Sequence, residues 1–157
     1  MNAKDGRNGN LRRQSTPSGA GSAFEEKVES VVRELGLSYL RQVKMGVSIV
    51  GRRRVTDFLV YDGARSLGIE CKFQQVAGSA EDKLVHTITD FDARPVPHIL
   101  VFGGAGFSRN FSGYLLSTGK AIELADLRNY LVFYFRLEEY YEEFGVPPTL
   151  RALPPEE

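Results

Sequence analysis

Two neighbouring stretches decide the fold: Arg53-Arg54-Val55-Thr56-Asp57-Phe58-Leu59-Val60-Tyr61, and Ser66-Leu67-Gly68-Ile69-Glu70-Cys71-Lys72-Phe73-Gln74. Both are rich in β-branched and aromatic residues, and Asp62-Gly63 between them is a hairpin turn signal. They read as two antiparallel strands, Arg53 to Tyr61 and Ser66 to Gln75, with Val55, Asp57, Leu59 and Tyr61 on one face of the first. Side chains alternate along a strand, so Glu70, Lys72 and Gln74 share a face while Cys71 and Phe73 point the other way. The hairpin register can bring Asp57 alongside Glu70. Two carboxylates and an ammonium then meet on one sheet surface. One reading is a solvated cross-strand salt network. The other is a site for a hard divalent cation such as Mg²⁺, with the Cys71 carbonyl as a further oxygen donor. Leu67, Ile69 and Phe73 make the second strand central, where lone charges are costly unless paired or bound to metal.

Working outward, Tyr39 to Val50 reads as a preceding strand interrupted near Gly46. Before it, Phe24, Val28, Val31, Val32 and Leu35 recur at helical spacing, and Gly36 ends the run. Ser22 and Glu25 fit a capping box at the start of that helix. Glu25 also lies on the flank of the apolar stripe, from which it can reach a sheet edge. After the hairpin a helix starts at Ser79, with Ala80, Leu84, Ile88 and Phe91 as its buried stripe and Pro95 and Pro97 as its stop. A short strand from His98 to Phe102, a glycine loop, a helix over Phe107 to Ser117, a strand at Ala121 to Leu124 and a helix from Asp126 follow. Residues 1–21 read as a disordered basic tail and 146–157 as a Pro-rich acidic tail, leaving residues 22–145 as the domain. Tyr130 to Phe135, Tyr140, Tyr141 and Phe144 read as core or dimer contact.

Composition narrows the function classes. The 157 residues are 42% hydrophobic, enough for one core. A single cysteine, Cys71, excludes an intrachain disulfide and a Cys-rich zinc site, and two histidines leave little room for His-based metal chemistry. No apolar run approaches a membrane span, and the N-terminus has no apolar stretch of a signal peptide, so the expectation is a cytoplasmic protein without a membrane partner. The net charge is zero, but residues 1–60 hold 11 basic and 6 acidic side chains, and residues 138–157 hold 1 and 6. That division is compatible with a local phosphate-binding face.

The segment Thr56-Asp57-Phe58 with Glu70-Cys71-Lys72-Phe73-Gln74 resembles the PD-(D/E)XK nuclease superfamily, the restriction-endonuclease-like fold. Gly21-Ser22-Ala23-Phe24-Glu25 resembles that superfamily's opening helix, and Gly78 to Lys83 the helix start after the E-x-K strand. The superfamily's usual proline before the aspartate is here Thr56. The resemblance implies an α/β fold with an αβββαβ core and a mixed central sheet flanked by helices. It implies Asp57 and Glu70 as ligands of Mg²⁺ or Mn²⁺, Glu25 as a further carboxylate, and Lys72 as the catalytic lysine.

The function expected on these grounds is a metal-dependent DNA endonuclease using a metal-activated water. Gln74 faces the same site and would orient it, or is a polar strand-end residue. Arg52, Arg53 and Arg54 suit DNA backbone phosphates, or form a solvated turn. Lys83 suits a phosphate, or is an exposed helix lysine. Cleaving two strands calls for a homodimer, and the short core suggests a targeting partner protein. The alternatives are a non-catalytic nucleic-acid-binding or assembly domain of the same fold, and an RNA nuclease.

Overall fold

The computed structural model describes residues 19–78 and 80–144, so residues 1–18 of the expected N-terminal tail and all of the expected C-terminal tail lie outside the described residues, while residues 19–21, read as tail, belong to the first helix. Five strands form one mixed sheet in the order β1-β2-β3-β4-β5: β1 Ser38–Val47, β2 Arg53–Tyr61, β3 Ser66–Phe73, β4 His98–Gly103 and β5 Ala121–Glu123. The first three are an antiparallel meander, while β4 and β5 add in parallel. Parallel neighbours need a crossover, and helices supply it. The helix α2 (Ala80–Asp90) joins β3 to β4, and α3 (Arg109–Ser117) joins β4 to β5. The helix α1 (Gly19–Glu34) precedes β1, and α4 (Leu124–Tyr134) follows β5.

The sheet has a core on each face. Phe24, Val28 and Val32 of α1 and Leu127 and Leu131 of α4 pack with Phe58, Val60, Leu67, Ile69, Ile99 and Val101. On the other face, Leu84 and Ile88 of α2, Phe91 just after that helix, and Leu115 of α3 pack with Leu100 and Phe102. Alternate residues of β4 thus serve opposite cores, which is why His98 to Phe102 reads as a continuous apolar run after its first residue. Tyr130, Tyr134, Tyr140 and Tyr141 pack at the margin of the first core, as the aromatic-rich C-terminal segment led one to expect.

Several boundaries differ from the sequence reading. The helix α1 starts at Gly19, so Ser22 lies inside it and the capping box with Glu25 does not form. Packing of the Phe24, Val28 and Val32 stripe stabilises the helix across Gly19 and Gly21, and local cap signals are overridden. The strand β3 ends at Phe73, so Gln74 lies just past it. The strand β1 is irregular between Lys44 and Val47, around Gly46, whose φ of 91 is left-handed. The turn after β2 is built on Asp62, whose Oδ1 accepts from the backbone N–H groups of Ala64 at 2.8 Å and Arg65 at 2.6 Å.

Candidate active site

The β2–β3 ladder runs from Tyr61↔Ser66 to Phe58↔Ile69 and stops there. One further step of that register sets Asp57 opposite Glu70. In place of a backbone partner, the Cys71 N–H donates to Asp57 Oδ2 at 2.8 Å. The Asp57 carboxylate therefore sits in the opening where the two strands part. Its Oδ1 accepts a longer bond from Gln42 Nε2 at 3.3 Å. Gln42 has a φ of 52, a left-handed backbone that non-glycine residues adopt at some cost.

Glu70 lies beside Asp57 and its side chain is 16% exposed. Its carboxyl is pushed up to about 8, first by burial and then by the like charge of Asp57. Arg94 opposes that shift: its Nη1 donates to Glu70 Oε1 at 2.7 Å. The same Nη1 donates to Thr56 Oγ1 at 3.2 Å, and Nε to Asp90 Oδ2 at 3.3 Å. Asp90 is in turn clasped by Arg54, with Nε 2.8 Å from Oδ2 and Nη2 2.7 Å from Oδ1. Those hydrogen bonds hold the Asp90 carboxyl below its ordinary value.

Thr56 is fully buried, and its hydroxyl is 2.7 Å from His98 Nε2. His98 Nδ1 is 2.8 Å from the Val96 carbonyl. A carbonyl can only accept, so Nδ1 carries the proton, and the neutral ring's Nε2 accepts from Thr56. Burial lowers the His98 pKa and keeps it neutral. Thr56 thus does what a proline could not: it connects the Arg94 guanidinium to His98.

Glu25 is also buried, and α1 aims it at the same region. Its carboxyl is raised, first by burial and then by the charge of Asp57. Arg41 partly offsets this through Nη2 at 2.8 Å from Glu25 Oε2. The charges of Asp57, Glu25 and Glu70 all act on Cys71, whose thiol is pushed far up, chiefly by burial. A thiolate nucleophile is therefore excluded at neutral pH.

Lys72 and Lys83 line one open cleft of about 180 Å³ together with Glu70, Cys71, Leu84 and Thr87. Neither ammonium has a hydrogen bond or ion pair among the described residues. Gln74 is placed differently: its Nε2 donates to the Gly106 carbonyl at 3.2 Å, and the Gly106 N–H donates to the Gln74 carbonyl at 2.8 Å. The glycine loop packs on that backbone. A Cβ on Gly104 would lie 2.2 Å from the Gln74 carbonyl oxygen, so close approach, not phosphate binding, explains the glycines. Of the arginine triplet, Arg54 is turned inward to Asp90, while Arg52 and Arg53 are exposed.

A model of the PD-(D/E)XK nuclease superfamily domain matches residues 16–132, three quarters of the sequence. The chain belongs to the PD-(D/E)XK nuclease superfamily. No curated protein matches it in sequence. Among solved structures, it is similar to a Vibrio cholerae protein, with 14% identity and a TM-score of 0.48 over 74% of this chain and 33% of that one. It is also similar to the small subunit of the heterodimeric restriction endonuclease R.BspD6I, with 15% identity and a TM-score of 0.41 over 70% and 67%. A third is the Holliday junction resolvase Hjc of Archaeoglobus fulgidus, with 15% identity and a TM-score of 0.32 over 56% and 67%. The chain therefore spans from 33% to 67% of the length of these proteins.

Superfamily nucleases typically use divalent metals. The donor chemistry here fits such an ion. Asp57 and Glu70 are hard oxygen donors whose mutual repulsion a divalent charge would relieve. Among the described residues no group of three or more His, Cys, Asp or Glu side chains converges as a ready metal cage. Two carboxylates suit a cation that keeps several waters, as Mg²⁺ does.

The sequence reading gave no site role to Arg94 or Asp90, and none to Thr56 or His98 beyond their places in the strands. A signal for one contact was present: Asp90 and Arg94 are four apart, the spacing of a helical ion pair. No helix in the described residues is long and apolar enough to cross a membrane.

Proposed function

We propose that this chain is a Mg²⁺- or Mn²⁺-dependent endonuclease that hydrolyses DNA phosphodiester bonds. One observation carries the reading. Asp57 and Glu70 adjoin where β2 and β3 part, and the unpaired Lys72 ammonium lines the cleft that Glu70 lines. A divalent cation, when bound, would neutralise phosphate charge and lower the pKa of a water. Asp57 would offer Oδ1, and Glu70 would offer Oε2 because Arg94 occupies Oε1. Arg94 fixes Glu70 in place, so the carboxylate need not reorganise when the scissile phosphate arrives. The Lys72 ammonium would orient the attacking water or stabilise the charge gathering on the phosphate. Lys83, on the opposite wall, would hold a non-bridging oxygen. Glu25 would serve as a further acidic group, tied to Arg41 on one oxygen. Gln74, bonded to Gly106 just past β3, would act only by fixing the end of the strand that carries Glu70 and Lys72.

The test uses the full chain with supercoiled, linear, single-stranded and branched DNA, and with RNA, in Mg²⁺ or in EDTA. Lys72→Ala and Asp57→Asn run beside it. Cleavage of DNA in Mg²⁺ alone is expected, with a loss of at least about a hundredfold in each variant. Cleavage surviving both substitutions would sink the site. Binding without cleavage on every substrate would make the chain a non-catalytic domain, and cleavage confined to RNA would reassign the substrate.

A further inference from the structure

The hairpin between β1 and β2 is basic without interruption. From Leu35 to Thr56 the sequence holds Arg41, Lys44, Arg52, Arg53 and Arg54 and no acidic residue. Two of these cations are engaged inside the protein, Arg41 with Glu25 and Glu29, and Arg54 with Asp90. Lys44, Arg52 and Arg53 are exposed and form no ion pair among the described residues.

The tip is a defined turn. The Gly51 N–H donates to the Ser48 carbonyl at 2.8 Å, and the Ser48 N–H donates to the Arg52 carbonyl at 2.8 Å. Gly51 has a φ of 75, as expected of a three-residue loop that ends on a left-handed glycine. The two central positions of such a turn favour small polar residues, glycine or proline. Here they are Ile49, 102% exposed, and Val50, 73% exposed. Val47 and Val55, on the two strands of the hairpin, are exposed as well. None of this apolar surface contributes to either core, so folding alone does not account for it.

The unpaired cations select the partner. A second copy docking tip to tip would bring like charges together, whereas a polyanion would be drawn to them. The strand β2 leads from Arg53 to Asp57 in four residues, roughly 13 Å at ~3.3 Å per residue. A ligand on the tip can therefore also reach the candidate active site. A duplex offers phosphates to cations and base faces to apolar side chains, and a two-stranded ribbon fits a groove.

We propose that the hairpin tip is a DNA-distorting wedge, with Ile49 and Val50 pressed against bases at an opened step and Lys44, Arg52 and Arg53 on the flanking phosphates. This rests on the nucleic-acid half of the nuclease reading. The test titrates the full chain, with Ca²⁺ in place of Mg²⁺, into short duplexes carrying 2-aminopurine at successive positions. Unstacking should raise the fluorescence at one or two positions. The Ile49→Ser/Val50→Ser chain should lose that rise and about tenfold in affinity, since a base contact of this kind is worth roughly one power of ten. Arg52→Ala/Arg53→Ala should lessen the salt slope by about two. Both variants change exposed side chains only, so melting temperature should not move. An unchanged fluorescence in the wild-type chain overturns the wedge, as does a tip variant that binds and unstacks like wild type. A wild-type dimer made monomeric by the tip substitutions in sedimentation also overturns it, in favour of self-association. Binding to phosphatidylserine vesicles but not to duplex overturns it in favour of a lipid surface. Cleavage of supercoiled DNA, followed in parallel, separates the two readings. Cleavage without a wedge signal keeps the nuclease and removes the wedge, and a wedge signal without cleavage does the reverse.

Discussion

Arg94 Nη1 lies 2.7 Å from Glu70 Oε1, so the glutamate of the E-x-K pattern carries a buried guanidinium on one of its two oxygens. The Arg94 side chain is only 7% exposed, and Asp90 and Thr56 hold it from other directions. Removing it leaves Glu70 beside Asp57 without the guanidinium bonded to its Oε1. Breaking a buried pair from one side typically costs about 3–5 kcal/mol. Glu70 can escape part of that cost by keeping its proton. Arg94→Leu should therefore lose about 3 kcal/mol or more above pH 8 in EDTA, and clearly less near pH 6. Urea unfolding at both values checks this, and an equal loss at both would mean that Arg94 acts through packing alone.

Glu70 also sets a pH dependence in the metal-free protein. Its pKa in the folded chain is about 8 against an ordinary 4.5, so the folded state holds a proton there that the unfolded state has lost. Stability contributed this way is greatest below the unfolded value and falls as pH rises to the folded one, by about 1.4 kcal/mol per unit. Glu25 is raised too, chiefly by burial, and works in the same direction. His98 works the other way below its ordinary 6.5, because burial depresses its pKa. The clean window is therefore pH 6.5 to 8, where urea unfolding in EDTA should show a loss of about 2 kcal/mol. Glu70→Gln should flatten the slope, and a wild-type chain as flat as that variant would show that Glu70 is ionised throughout.

Asp57→Asn separates charge from shape. The amide oxygen can still accept from the Cys71 N–H, so the parting of β2 and β3 should keep its form. The substitution removes the charge that helps raise Glu70 and Glu25. Melting temperature in EDTA should hold or rise, while DNA cleavage falls at least about a hundredfold. Added Mg²⁺ should raise the wild-type melting temperature, and that rise should vanish in this variant. A variant that melts well below wild type would instead give Asp57 a structural role.

The meander and the candidate carboxylates were legible because they depend on local rules. Alternation in β2 and β3 and the Asp62-Gly63 turn fix which residues face which, and one register then sets Asp57 opposite Glu70. The matching of β4 to both cores was visible in its apolar run. The start of α1 was not, since packing of Phe24 and Val28 carries the helix past Ser22 to Gly19. Arg94 was out of reach for another reason. Its partners Thr56 and Glu70 are 38 and 24 residues away, and no periodicity encodes such pairs. The arginine triplet shows the same limit, for only the fold reveals that Arg54 turns inward while Arg52 and Arg53 stay out.

That division gives a prediction of its own. Arg54→Ala leaves Asp90 with the weaker bond from Arg94 alone and unsettles the clamp on Glu70. It should lower stability by about 1–3 kcal/mol and weaken cleavage, with little change in the salt slope of DNA binding. Arg53→Ala should do the reverse, sparing stability and lowering the salt slope by about one. Fluorescence anisotropy across a salt series, with urea unfolding beside it, distinguishes them. Matching effects from the two would remove the distinction between clamp and contact.

Gly68 is the place where the fold leaves no room for a methyl group. A Cβ there would lie 2.2 Å from His98 Nε2, and carbon atoms of the same ring are 2.4 and 2.5 Å away. The ring cannot swing aside cheaply, because Val96 and Thr56 hold its two nitrogens and the Phe91 ring packs against it, tilted, with centroids 5.4 Å apart. Any shift would pass through Thr56 to Arg94 and then to Glu70. Gly68→Ala should cost about 1–3 kcal/mol, the usual range for overpacking. Against a His98→Ala background the space is free, so the same substitution should cost about 1 kcal/mol or less. A double-mutant cycle by urea unfolding measures the difference. Additive losses would show that strand geometry at Gly68, not the imidazole, is what excludes the side chain.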